Sequence, residues 1–204
     1  MERLKAILDY WFDDLSDDKL LDKKSVVYKR WFGGGRQVDE EIRKNFEDDL
    51  KKAAAGGYKE WELTPRGRLA LIILFDQMTR NMYRGTAQMF TFDPLALALT
   101  QHCLKDGTDQ QLSLIERQFL YMPLMHSEEL KDQELSLQKF THLVEDSRTQ
   151  SPHNTLYFDN SRDYAQRHWK IIAQFGRFPH RNKLLGRPST APEQAFLQTP
   201  GSSF

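Results

Sequence analysis

Apolar positions recur at helical spacing along almost the whole chain. Leu4, Ile7, Leu8 and Trp11 stand at i, i+3, i+4 and i+7, one face of a first helix. Leu20, Val27 and Trp31 predict a second helix over residues 17–32, which Gly33-Gly34-Gly35 breaks. Val38, Ile42, Phe46, Leu50 and Ala53 continue the period as far as Gly56-Gly57. Thr64-Pro65, a capping residue followed by proline at the first helical position, opens the most apolar helix, over residues 65–84. Asp93-Pro94 repeats that signal for a helix closed by Gly107. Ser113 starts another, which Pro123 has to end or kink, and Ser127 caps a long one reaching Asp146. Residues 147–160, with Pro152 and several turn formers, read as the clearest long loop, and Ser161 then precedes a helix ending at Gly176. Thr190, Pro192 and Glu193 have capping-box spacing for a last helix. No stretch alternates with period two for long enough to require a strand. The expectation is one all-α domain over residues 1–204, eight or nine helices arranged as stacked or bundled hairpins.

Composition narrows the class. In 204 residues, 39% hydrophobic and 12% aromatic side chains suffice for a packed core and exclude wholesale disorder. Cys103 is the one cysteine, which excludes an intramolecular disulfide or a cysteine-based zinc site and suits a reducing compartment. The longest apolar run, Leu69 to Phe75, falls far short of the about 20 residues that span a bilayer. Asp9, Asp13 and Asp14 stand where a signal peptide would be apolar, so the expected location is the cytoplasm. Basic and acidic side chains balance at 29 each, which argues against a nucleic-acid or membrane surface. The balance conceals unlike segments. Residues 85–147 hold 10 acidic against 4 basic side chains, and residues 148–204 hold 8 basic against 3 acidic. The two segments can attract each other, or leave a local positive site for an anion.

Three constellations carry chemistry. In the helix over residues 65–84, Asp76 and Arg80 stand four apart and can pair, with Gln77 and Asn81 on the adjacent stripe and Arg84 continuing the row. Such groups either lock neighbouring helices or form one wall of a polar pocket. The second is Phe175-Gly-Arg-Phe-Pro-His-Arg-Asn182, where Arg177, His180, Arg181, Lys183 and Arg187 lie within eleven residues. Arginine forks suit phosphate or carboxylate, although these cations could equally cap helix ends or pair with the acidic segment. In the third, His126 precedes the Ser127 cap, and the helix N-terminus expected there favours an anion and a neutral imidazole. His126 and Glu129 have the i, i+3 spacing of a carboxylate–histidine pair, too little by itself to require a metal. Trp11, Trp31, Trp61 and Trp169 are expected in the core. There is no GxGxxG, P-loop or GxSxG sequence, so no cofactor is implied.

Together these segments resemble the bacterial family catalogued as domain of unknown function 924. The resemblance rests on Thr64-Pro65 leading to Asp76-Gln77, Arg80-Asn81 and Arg84-Gly85, then Arg117-Gln-Phe, Tyr121-Met-Pro and His126-Ser-Glu-Glu-Leu130. It ends with the Phe175–Asn182 run, Leu185-Gly-Arg187 and Pro192-Glu193 with Phe196-Leu197. Met78-Thr79 departs from the Phe-Pro usual in that pattern. The resemblance implies an all-helical, tetratricopeptide-like α-α superhelix and implies little about activity.

The leading expectation is therefore a polar pocket for a small anionic ligand bearing phosphate or carboxylate. Arg80, Arg177 and Arg181 would hold it, with Asn81, Asn182 and Glu129 beside them. His126 or His180 would serve as acid or base and Asp76 would orient a neighbour, leaving open whether the protein is an enzyme. The alternative is an interaction module that takes a peptide or partner protein on a concave face.

Overall fold

A computed structural model of the chain describes residues 2–203, and they form an all-α fold with no strand among them. The ten α-helical segments are α1 Glu2–Phe12, α2 Val26–Tyr28, α3 Arg36–Ala54, α4 Pro65–Ile72, α5 Thr79–Met82, α6 Asp93–Asp106, α7 Leu114–His126, α8 Leu130–Gln150, α9 Thr155–Phe175 and α10 Ala191–Leu197. A π-helical stretch, Ile73–Met78, joins α4 to α5, so these segments make nine helices among the described residues.

The α4–α5 rod runs through the middle of the fold because its central run, Leu69 to Phe75, is wholly apolar. Leu69, Ala70, Ile72, Ile73, Leu74, Met78 and Met82 are fully buried. Thr64 caps its start by accepting from the Gly67 amide, and Pro65 supplies the first turn. Around it, Ile7 and Trp11 of α1, Ile42 and Leu50 of α3, Phe119 of α7, Phe140 of α8 and Phe158 of α9 close one continuous core. Trp31 packs on Phe119 at 4.7 Å between ring centroids, and Trp61 stacks on Tyr58 at 3.9 Å. Trp11 and Trp61 are buried as expected, whereas Trp31 and Trp169 are half-buried. Short connections make α7, α8 and α9 successive packed neighbours.

Three local expectations are corrected. Over residues 17–32 the helix is confined to α2 and a π-helical turn, Lys29–Gly33, and it is Leu21 rather than Leu20 that is buried. The supposed loop over residues 147–160 is mostly helix, with only Ser151–Asn154 between α8 and α9. Its turn-forming residues are polar anchors: the buried Ser151 hydroxyl donates to the Asp17 carbonyl, and Asn154 bonds the Leu21 amide and the Lys19 carbonyl, each at 2.8–2.9 Å for Asn154. Pro123 lies inside α7, which continues to His126.

Candidate functional site

The π-helical stretch sets the site. It places Asp76 and Gln77 in the interior and turns Arg80, four residues on, back towards Asp76. Thr79 steadies the stretch by donating its hydroxyl to the carbonyls of Phe75 and Asp76 at 2.9 and 3.2 Å. Stretches of this kind recur at functional sites because they aim side chains that a regular helix would not.

Asp76 is completely buried, and three groups surround its carboxylate. His126 Nδ1 lies 2.7 Å from Oδ1, Arg80 Nη1 lies 3.2 Å from the same oxygen, and the Gln77 amide donates to Oδ2. Burial works to raise this carboxyl, but Arg80 and His126 overcome it and hold it below the usual carboxylate range. His126 is pushed the other way, downward, by burial and then by Arg80, against the pull of Asp76. The pair is therefore an ionised Asp76 accepting the Nδ1–H of a neutral His126, which leaves Nε2 as the basic nitrogen.

Asp93, at the start of α6, adds a second carboxylate. Arg80 forks onto it with Nη1 to Oδ1 at 3.0 Å and Nη2 to Oδ2 at 3.1 Å. Arg181 approaches the same carboxylate only to 3.8 Å. Its Cζ instead sits 4.7 Å from the Phe90 ring centroid and 4.5 Å from that of Phe178. The Arg181 side chain is 8% exposed and donates no hydrogen bond to any described residue, its Nε among the buried groups left without one. Burial, followed by repulsion from Arg80, brings its pKa down to about 10.

Two more imidazoles complete the cluster. His168 of α9 has its ring 6.3 Å from His126 and 5.5 Å from Phe178, with Nδ1 2.8 Å from the Tyr164 carbonyl. His180 lies 5.5 Å from Phe178. Burial drives His168 down to about 3 and His180 to about 4, so both are neutral near pH 7.

The profile of the bacterial proteins of unknown function called DUF924 matches residues 7–201. The chain belongs to this family. A solved structure of a protein of unknown function from Agrobacterium tumefaciens is 30% identical to this DUF924 chain, covers 97% of each chain and superposes with a TM-score of 0.77. No curated protein matches the chain. The resemblance carried by Asp76-Gln77, Arg80-Asn81 and the Phe175–Asn182 run is thus a family membership, and those residues fall into three separate networks.

Of the residues expected at a site, Asp76, Arg80, His126, His180 and Arg181 share the central cluster. Arg177 and Asn182 do not. Arg177 forks onto Glu193 of α10, Nε to Oε1 at 2.6 Å and Nη2 to Oε2 at 2.8 Å, and also bonds the Pro188 carbonyl. Asn182 bonds Ser189 and Glu193, so both side chains clasp the C-terminal helix. Gly176, in the left-handed conformation at φ 65°, ends α9 just before Arg177, and the Pro179 turn separates Arg177 from Arg181. Asn81 faces the other side of its helix and donates to Asp39, which also receives Arg84. Glu129 is exposed and does not converge with His126. His126 ends α7 rather than opening α8, so its neutrality comes from burial and Arg80, not from a helix N-terminus.

Asp93, His168, Phe90 and Phe178 join the cluster without a local signal strong enough to place them. Asp93 reads in sequence as a helix start and nothing more. Among the described residues no group of three or more His, Cys, Asp or Glu side chains is placed so that it could hold a metal ion. Two open cavities, about 570 and 610 Å³, lie elsewhere, at the Arg177–Glu193 clasp and beside Gly33–Gly35 with Arg84. No helix among the described residues is long and apolar enough to cross a membrane.

Proposed function

We propose that this protein binds a small anionic molecule beside Arg80, Arg181 and His126, with His126 as the acid/base group. Arg181 carries the reading. In a side chain more than nine-tenths buried, the Arg181 Nε–H donates to no described residue, and the nearest carboxylate oxygen lies 3.8 Å from Nη1. Leaving such a donor unmade costs about 1–3 kcal/mol, and an oxyanion in its plane removes that cost. The neighbouring Asp76–His126 pair supports proton transfer, since the carboxylate orients the imidazole and leaves Nε2 basic. Arg80 and Asp93 are each about a fifth exposed, which supports access from solvent, and Asp76 beside Arg80 is fully buried. A cytoplasmic setting agrees with the lone reduced Cys103.

A thermal-shift screen of carboxylated and phosphorylated metabolites tests this on three proteins. A ligand should stabilise the wild type and Arg177→Ala, and stabilise Arg181→Lys far less. Equal stabilisation of all three proteins would remove Arg181 from the site and sink the reading.

A second reading, docking of a peptide or partner protein on a tetratricopeptide-like surface, has one observation in its favour. Phe32 and Tyr164 are exposed beside Tyr28, whose ring lies 5.0 Å from Phe32 and 6.3 Å from Tyr157, and Val26 and Leu156 are exposed on the same two segments of chain. An anion screen without any response, together with peptide binding lost in Phe32→Ser, would favour it.

A further inference from the structure

We infer, building on the anion reading above, that the charged group this site takes is a carboxylate and not a phosphate dianion. The first reason is how Arg181 is held. Phe90 and Phe178 both pack within 5 Å of its Cζ, so its N–H edge, not its π face, is what a polar partner meets. A planar carboxylate satisfies such an edge completely with two parallel N–H···O bonds, the geometry Arg80 already makes with Asp93, whereas a phosphate can fork in the same way but carries further charged oxygens out of that plane that need donors of their own.

The second reason is charge. Arg80 and Arg181 are balanced by Asp76 and Asp93, two carboxylates in contact with them. Glu128 and Arg187 nearby cancel through their own fork at 2.6 and 2.9 Å. His126, His168 and His180 are held neutral by burial and by the arginines, so none adds a positive charge near pH 7. The cluster therefore starts neutral. One negative charge brought to Arg181 meets a guanidinium whose existing partner is 3.8 Å away. A second negative charge on the same ligand would find no cation and would face Asp93 directly.

The third reason is size. His126 is about a tenth exposed and Arg181 less, so a ligand that reaches both has to be small. A carboxylate seated on Arg181 would bring the atoms next to it towards the His126 imidazole, where a proton can be exchanged. The ligand class is thus a small carboxylic acid, not a sugar phosphate or nucleotide.

Titration calorimetry on the purified full chain tests the choice with matched probes, acetate against inorganic phosphate and benzoate against phenyl phosphate, at about pH 8 where the phosphates are dianions. The carboxylate of at least one pair should bind about tenfold or more tightly than its phosphate, and Arg181→Lys, which keeps charge but loses the fork, should weaken it by about tenfold. Phosphate binding as well as or better than carboxylate would overturn this inference and leave the small-anion reading standing. Carboxylate affinity unchanged in Arg181→Lys would also overturn it. No heat from any of the four probes up to about 50 mM would overturn both readings. The wild-type comparison decides even if the variant fails to fold.

Discussion

His168 gives the protein a defined sensitivity to acid. Its ring is about 95% buried, and its Nδ1 is already engaged by the Tyr164 carbonyl of its own helix. Burial first, then the neighbouring His126, drives its folded value down to about 3. In the unfolded chain the same imidazole titrates near 6.5. The folded value is the lower one, so between about pH 6.5 and 3 the unfolded state binds a proton that the folded state refuses. Stability from this residue is intact above about pH 6.5 and is lost as pH falls. Protonation of the unfolded imidazole at pH 5 is worth about 2 kcal/mol more than at pH 7, and the folded state recovers almost none of it. His168→Gln removes the titration while keeping a polar side chain of similar reach. Urea unfolding followed by circular dichroism at about pH 7, 6 and 5 measures both proteins. The wild type should lose about 2 kcal/mol more than His168→Gln over that interval. Parallel pH dependence in the two proteins would show that His168 is protonated, or reaches water, in the folded state, and the burial reasoning would be wrong.

Three further outcomes follow from the same structure. Asp76→Asn leaves His126 and Arg80 around a neutral amide in a fully buried position, and should cost about 3 kcal/mol, the low end for a broken buried pair because Arg80 keeps its fork on Asp93. Its loss should not add to that of His126→Asn in a double-mutant cycle; strict additivity would mean that the 2.7 Å contact does not couple them. Gly67→Ala would set a Cβ 2.0 Å from the Trp61 carbonyl oxygen in the first turn of α4, so unfolding free energy should fall by about 3 kcal/mol, and an unchanged melting temperature would contradict that geometry.

Helical periodicity made α1, α3 and the 65–84 rod legible because each presents apolar side chains at the period that the core requires. It failed around residues 17–32 and 147–160 for one reason. Ser151 and Asn154 look like solvent-facing turn formers, yet they are buried and bond Asp17, Lys19 and Leu21, more than 130 positions away. No local pattern encodes such a partner. The site divides the same way. Asp76 and Arg80 were readable as a pair because four residues make one helical turn; Asp93 joins from 13 residues beyond Arg80, His126 from 50 residues beyond Asp76, and Arg181 from across the fold. Arg177 and Arg181 look equivalent in one run of sequence, but the Gly176 and Pro179 turns send the first to Glu193 and the second to Asp93.

The π-helical stretch Ile73–Met78 also does the work of a phase shifter. A π turn holds more residues than an α turn, so side chains beyond it are rotated relative to those before it. Downstream of that shift, Arg80 reaches Asp93 on α6, while Asn81 and Arg84 reach Asp39 on α3. Two helices on different sides are thus tethered to one rod within five residues. Removing a single residue from the stretch would restore regular pitch and swing both tethers by about 100° together. A change of helical register in the stretch would therefore move the Asp39 and Asp93 attachments together.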